Sequence, residues 1–326
     1  MSVLTGGSVL ITGGTGSLGK ALIAELLANH DPRRLIVLSR DELKQFDLRR
    51  AYADEPRLRW FLGDIRDPRR LHRAFDGVDY VIHAAALKQV DTAEYNPFEF
   101  VDTNVNGSRN VIDAAIDAGV KKVVALSTDK ASSPVNLYGA TKLVADRMFV
   151  SGNSYSGNDR TRFAVVRYGN VSGSRGSIVT VWRDLAARGA SLPITDERMT
   201  RFWITLPQAV KLVLDSFEIM HGGELYVPRI PSLRITDLAE AIAPGAAHHE
   251  IGIRPGEKLH EEMISFDDAR RTLLVGDRYI IQPSIGGWDY APPAEAVQVP
   301  DGFAYHSDTN EQWLDVPTIR ELLGTD

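Results

Sequence analysis

The chain has 326 residues, 44% of them hydrophobic and none of them Cys, so it can bury a substantial core, while disulfides, thiol nucleophiles and thiolate metal sites are excluded. A formal net charge of -6 without a dense basic run argues against general affinity for nucleic acid or for an anionic membrane surface. No apolar run approaches the roughly 20 residues of a membrane span, the eight His contain no HExxH pattern, and no leader-like segment opens the chain, so the expectation is a cytoplasmic protein without metal.

In chain order, strands are expected at Val9–Thr12, Leu35–Leu38, Arg59–Leu62, Tyr80–His83, Val123–Leu126 and Phe163–Arg167, short apolar runs rich in β-branched residues. Helical patterns fall between them at Gly19–Leu27, Glu42–Ala51, Leu71–Phe75, Val105–Ala118 and Leu137–Val150. This alternation predicts an α/β fold on a doubly wound parallel sheet of the Rossmann type. Beyond residue 170, Pro193, Pro207, Pro228, Pro231, Pro244 and Pro255 punctuate shorter segments. Residues 1–170 are therefore expected to form a dinucleotide-binding domain, with some later segments returning to it. Residues 171–326 are expected to form mainly a smaller, discontinuous substrate-binding region.

The first strand-to-helix junction reads Gly13-Gly14-Thr15-Gly16-Ser17-Leu18-Gly19, with Gly13, Gly16 and Gly19 in GxxGxxG spacing. Glycines there permit a tight turn and close approach of a pyrophosphate, and the helix N-terminus offers free N–H groups with partial positive charge. Candidate cofactor contacts are Gly13, Thr15, Gly16, Ser17, Leu18 and Gly19. Where the second strand ends, Ser39 and Arg40 suit a ribose 2′-phosphate, with Lys44 one helical turn on, which favours NADP over NAD. Asp41 could instead bond the ribose, and Arg40 could be a solvated surface charge. Asp64-Ile65 follows the third strand and is placed for an adenine edge or for an ordinary turn or N-cap. Ala84, just past the fourth strand, and Tyr138 and Lys142 complete the cofactor set.

Ser127-Thr128-Asp129-Lys130 closes the fifth strand, and Tyr138-Gly139-Ala140-Thr141-Lys142 opens the next helix. Tyr138 and Lys142, four residues apart, share a helix face, so the ammonium is expected to lower the phenol pKa. Thr128, Tyr138 and Lys142 resemble the Ser/Thr-Tyr-Lys arrangement of short-chain dehydrogenases and reductases, in which the phenolate takes a hydroxyl proton as hydride leaves the same carbon. Asp129-Lys130 adds a second acid/base pair. After oxidation of a sugar at C4 the C5 proton is acidic, and such a pair can remove it and expel the C6 hydroxyl as water. Lys130 is expected as the base if burial and nearby cations depress its pKa, and Asp129 as the acid if apolar surroundings keep it protonated.

Leu126 to Ala131, Asn136 to Lys142, Lys88-Gln89-Val90 with Glu94-Tyr95-Asn96-Pro97, and Arg167 to Val171 together resemble the inverting UDP-N-acetylglucosamine 4,6-dehydratases. These belong to the extended short-chain dehydrogenase/reductase superfamily and include the first enzyme of pseudaminic acid biosynthesis. Pro193 to Asp196, Met199 to Phe202 and Ile253 to Glu261 fit the same pattern, so the resemblance runs to about Pro283. It implies tightly held NADP, a UDP-N-acetylhexosamine substrate, Lys130 as C5 base, Asp129 as acid, inversion at C5, and a homo-oligomer, dimer or hexamer. It also implies substrate contacts at Lys88, Asn170, Arg201, Arg254 and Glu257. Arg254 takes the position that pairs with the substrate diphosphate, and Arg201 does the same or supports Asn170. A structural salt bridge is the alternative for each arginine. Retaining relatives usually carry Asp-Glu where Asp129-Lys130 stands, and Asp91 and Thr180 stand where Pro is usual. A UDP-hexose C4 epimerase and a non-catalytic NADP-sensing protein are the competing readings. His83 is expected as a packed core histidine, His248-His249 as a solvated loop, and Trp182 and Trp203 as core.

Overall fold

The computed structural model describes residues 2–157, 161–173 and 178–324. Ser8–Thr12 (β1) is buried along its whole length, as a central parallel strand must be. Its alternate residues feed opposite faces: Leu10 enters one apolar cluster, Val9 and Ile11 the other.

The chain continues through Ser17–Glu25 (α1), Arg34–Ser39 (β2), Glu42–Ala51 (α2), Leu58–Leu62 (β3), Pro68–Ala74 (α3), Tyr80–His83 (β4), Val90–Tyr95 (α4) and Pro97–Phe100 (α5). Gly107–Asp117 (α6), Lys122–Leu126 (β5), Leu137–Ser156 (α7) and Arg162–Val166 (β6) follow. From β1 the sheet grows one way through β2 and β3 and the other way through β4, β5 and β6, all parallel. Strand order therefore reverses between β1 and β4, and a crevice opens there at the carboxyl ends.

Two helix boundaries depart from expectation. α3 begins at Pro68 rather than Leu71, because the Asp67 side chain accepts from the N–H groups of Arg69 and Arg70 and caps the helix. α7 passes Val150 and runs to Ser156 through residues that read as a stop signal. Asn153 is the cause: fully buried, it donates to the Phe163 carbonyl at 3.0 Å and accepts from the Phe163 N–H at 3.0 Å. A side chain that reads as a helix breaker thus ties the helix to β6.

After β6 come Asn170–Val171 (β7), Ile178–Ala187 (α8), Leu192–Ile194 (β8), Thr200–Ile204 (β9), Leu206–Ile219 (α9), Leu225–Pro228 (β10), Ser232–Arg234 (β11), Ile235–Ile242 (α10) and His248–Glu250 (β12). Glu262–Ile264 (β13), Thr272–Val275 (β14), Arg278–Ile281 (β15), Val297–Gln298 (β16), Tyr305–His306 (β17) and Val316–Leu323 (α11) complete the described strands and α-helices. β10 joins β6 in parallel, and β15, β14 and β16 follow antiparallel, so the main sheet reads β16-β14-β15-β10-β6-β5-β4-β1-β2-β3.

A second layer holds β7, β9 and β11, the pair β8–β12, and helices α8, α10 and α11 around a separate core of Trp182, Trp203, Leu233, Leu238 and Ile319. His248 and His249 are exposed as expected, but in strand β12 rather than a loop, since their backbone pairs with β8. Among the described residues no helix is long and apolar enough to cross a membrane, and no cluster of three His, Cys, Asp or Glu is arranged to hold a metal ion.

Candidate active site

The glycine turn packs β1 against the segment leaving β4. Gly13 adopts φ +68°, and a Cβ there would lie 2.8 Å from the Ala85 backbone N, so glycine is required on both counts. α1 follows Gly16 with no side-chain cap at that residue, and its first turn lines the crevice. Beside it the Thr15 and Ser39 hydroxyls are hydrogen-bonded at 2.8 Å. Arg40 lies 3.8 Å from Asp64, whose carboxylate also accepts from the Arg66 guanidinium at 2.8 and 3.0 Å. Asp41 caps α2 through the Lys44 N–H and pairs with the Lys44 ammonium. One cleft of about 590 Å³ runs from this turn to Tyr138, and every residue singled out for cofactor contact lines it.

At the far end of that cleft, Thr128 donates to Asp129 Oδ1 at 2.9 Å and caps the short turn Asp129–Ala131. The Asn136 side chain accepts from the Gly139 N–H at 2.7 Å and starts α7. A Cβ on Gly139 would collide with the Lys130 carbonyl, so the absent side chain lets α7 press onto the Lys130 turn. That contact brings Tyr138 and Lys130 to one place. Ser127 donates to buried Asp146 at 2.7 Å, and Arg167 reaches the same carboxylate at 3.3 Å, a polar network beneath the turn.

The charges differ from the sequence expectation in two respects. Lys142 donates to the Leu126 carbonyl at 2.7 Å, and burial pulls its pKa down, against Asp146. The Tyr138 phenol is pushed up to about 12 by burial, with Lys130 and the Thr128 hydroxyl opposing. The cation that favours the phenolate is therefore Lys130 rather than Lys142. Lys130 itself is not depressed. Burial draws its pKa down, but the Asp129 and Glu261 carboxylates outweigh this and hold it above the ordinary lysine value, Arg201 opposing them weakly. Its Nζ lies 3.1 Å from Asp129 Oδ1 and 2.9 Å from Glu261 Oε1. Asp129 is 1% exposed, and burial together with the Glu261 charge pushes its carboxyl up, the direction expected for an acid.

A second cleft of about 430 Å³ meets the first at Lys88, Lys130, Asn170 and Val171. Lys88, Asn170, Arg201, Arg254 and Glu257 all line it, with Trp182 and Trp203 as wall. Asn170 Oδ1 and Glu257 Oε2 are buried without a hydrogen-bond partner among the described residues. Arg201 donates to the carbonyls of Thr200, Lys258 and Leu259 at 2.7 to 3.0 Å and lies 3.8 Å from Glu261. Arg254 is exposed and 3.9 Å from Glu257. Both arginines thus line the cleft while lying within ion-pair distance of a carboxylate, and no hydrogen bond or ion pair joins Arg201 to Asn170 among the described residues. His83 is the buried core histidine expected, bonded to Thr12 at 2.8 Å. Sequence reasoning did not nominate Glu261. It stands in the string that carried the resemblance, but its partner is 131 residues away.

A doubly wound sheet with a glycine turn at its first helix and Thr128, Tyr138 and Lys142 at its carboxyl edge defines an enzyme of the extended short-chain dehydrogenase/reductase class. The profile of the family described as "Polysaccharide biosynthesis protein" matches residues 9–283. The chain is 53% identical to the UDP-N-acetylglucosamine 4,6-dehydratase (inverting) of Campylobacter jejuni subsp. jejuni serotype O:2, over 97% of each chain. It is 38% identical to a UDP-glucose 4-epimerase of Rickettsia canadensis, over 98% of this chain and 95% of that one. Among solved structures, Pen from Bacillus thuringiensis superposes with a TM-score of 0.92 at 37% identity, covering 99% of this chain and 98% of the other. The chain belongs to the polysaccharide biosynthesis family and, within it, to the inverting UDP-N-acetylglucosamine 4,6-dehydratases.

Proposed function

We propose that the protein converts UDP-N-acetylglucosamine to UDP-2-acetamido-2,6-dideoxy-L-arabino-hex-4-ulose, with NADP as cofactor, as a carbon-oxygen lyase. The observation that carries this is Lys130, held between Asp129 and Glu261 beside Tyr138, where the two clefts meet. A C4 epimerase has no use for this second acid/base pair.

The cofactor cleft fits a dinucleotide: a turn that only glycine can make, an uncapped helix N-terminus for a pyrophosphate, and the Ser39–Arg40 edge for a 2′-phosphate. A nicotinamide bound there supplies reversible hydride transfer, out of C4 and back into C6. Tyr138 takes the C4 hydroxyl proton as the phenolate, a form that burial opposes and that Lys130 and the Thr128 hydroxyl favour. Movement of one proton from Lys130 to Asp129 along their 3.1 Å ion pair leaves a neutral amine and a protonated carboxyl. The amine then takes the C5 proton, the electron pair forms the C5=C6 bond as the C6–O bond breaks, and the Asp129 proton leaves with the hydroxyl as water. A proton returned to the opposite face of C5 sets the inverted configuration. Lys88, Asn170, Arg201, Arg254 and Glu257 are assigned to the UDP-sugar. A cytoplasmic homo-oligomer, dimer or hexamer, serving pseudaminic-acid-type synthesis belongs to the same proposal.

The test is incubation of the purified protein with UDP-N-acetylglucosamine in deuterated water, followed by NMR and mass spectrometry. A product lighter by one water, with deuterium at an inverted C5, supports the reading. A C4 epimer of unchanged composition overturns it in favour of an epimerase, and an untouched sugar overturns the choice of substrate or of an enzyme.

A further inference from the structure

Lys130 lines both clefts, whereas its two carboxylate partners divide between them: Asp129 lines the cofactor cleft and Glu261 the second cleft. Both carboxylates are almost fully buried, at 1% and 2% exposure. Each places one oxygen on Lys130 and leaves the other, Asp129 Oδ2 and Glu261 Oε2, buried without a hydrogen-bond partner among the described residues. Glu261 is held by its own backbone. Its N–H donates to the Ser307 hydroxyl at 2.9 Å, and its carbonyl accepts from the Ser307 N–H at 2.8 Å. A carboxylate fixed so firmly at a site the elimination chemistry does not name calls for a role.

We propose that Glu261 is the positioning residue of the dehydration step, fixing the Lys130 amine for C5 and stabilising the ammonium that forms when the C5 proton arrives; this rests on the dehydratase reading. The balance of charge supports it. Before proton abstraction Lys130 is neutral, Asp129 protonated and Glu261 charged. Afterwards Lys130 carries the C5 proton, and Asp129 has given its own to the leaving hydroxyl. The charge that develops on Lys130 appears 2.9 Å from Glu261, whose carboxylate is buried and so weakly screened. Asp129 cannot serve alone, because its charge is created in the same step that its proton is used. The other charged groups facing the trio are Arg201, 3.8 Å from Glu261, together with Lys258 and Tyr138. Burial pushes the Glu261 carboxyl up, but the Lys130 charge first, and then Arg201 and Lys258, outweigh it and hold the carboxyl below its ordinary value.

The test compares wild type with Glu261→Gln and Glu261→Asp in the cofactor-loaded full-length protein. Glu261→Gln is expected to lower kcat for dehydration by about 10²-fold, with KM within roughly threefold, while C4 oxidation continues, so that reduced nicotinamide absorbance builds up during turnover. A readout independent of turnover is acylation of Lys130, which is 26% exposed, mapped by peptide mass spectrometry across a pH series. Loss of the Glu261 charge should move half-modification to lower pH by about a unit or more. Glu261→Asp keeps the charge one methylene further back and should shift in the same direction by less, which preserves the test if the Gln variant does not fold. Unchanged modification profiles, or a loss of C4 oxidation equal to the loss of dehydration, overturn the proposal. If wild type makes no dehydrated sugar the dehydratase reading fails by itself, and the modification series still decides whether Glu261 governs the Lys130 charge.

Discussion

Lys130 Nζ and Glu261 Oε1 lie 2.9 Å apart across 131 residues of chain, and this pair joins the β5 edge of the nucleotide-binding sheet to the strand-like segment before β13. Lys130 lines both clefts and Glu261 the second, so the pair sits where the clefts meet.

Lys130→Ala is expected to lower dehydration by at least about 10²-fold while cofactor binding stays within twofold, since Lys130 lies at the cleft junction and the glycine turn at the opposite end. Mass spectrometry of the sugar product and titration of the cofactor check the two halves of this statement. Near-wild-type turnover would remove Lys130 from the mechanism.

Gly139→Ala tests the close approach of α7 to the Lys130 turn. The added methyl meets the Lys130 carbonyl, so the turn must move away from Tyr138. A displacement of about 1 Å at reacting groups costs on the order of 10²-fold, and kcat should fall by that much with a folded, cofactor-binding protein. Full activity would show that the turn relaxes without disturbing the site.

Arg40→Ala should weaken NADP binding by roughly 10- to 100-fold and leave NAD binding within twofold, because a charged hydrogen bond to a phosphate is worth about 1.5–3 kcal/mol and NAD lacks that phosphate. Calorimetric titration with each cofactor reads the difference. Equal weakening of both would place Arg40 in structural support through its 3.8 Å contact with Asp64 instead.

His83 makes stability depend on acid. Burial first, and then the Lys142 charge, pull its pKa from 6.5 to about 3. Since the folded value is the lower one, the contribution is present above pH 6.5 and is lost as pH falls from there toward 3. At pH 5 the loss from His83 alone is about 2 kcal/mol. Denaturant unfolding at pH 7 and pH 5 should show this much less acid sensitivity in His83→Gln than in wild type, and identical sensitivity would contradict the buried neutral imidazole.

The sequence by itself determined the features whose physics is local. The glycine turn, the strands β1 to β6, and Tyr138 with Lys142 on one helix face all follow from spacing along a few residues, because backbone geometry converts that spacing directly into position. Asn153 shows the limit even for a helix, since what keeps α7 going is a bond to a neighbouring strand. Later segments were expected to return to the first domain, but only the tertiary structure identified them as β10, β14 and β15, set Arg201 on loop carbonyls, and brought Glu261 to Lys130. It also reversed the sign of the Lys130 shift and moved the charge acting on Tyr138 from Lys142 to Lys130. A protonation state depends on burial and on charges a few ångströms away through space, and in a folded chain those neighbours are set by packing rather than by proximity in sequence.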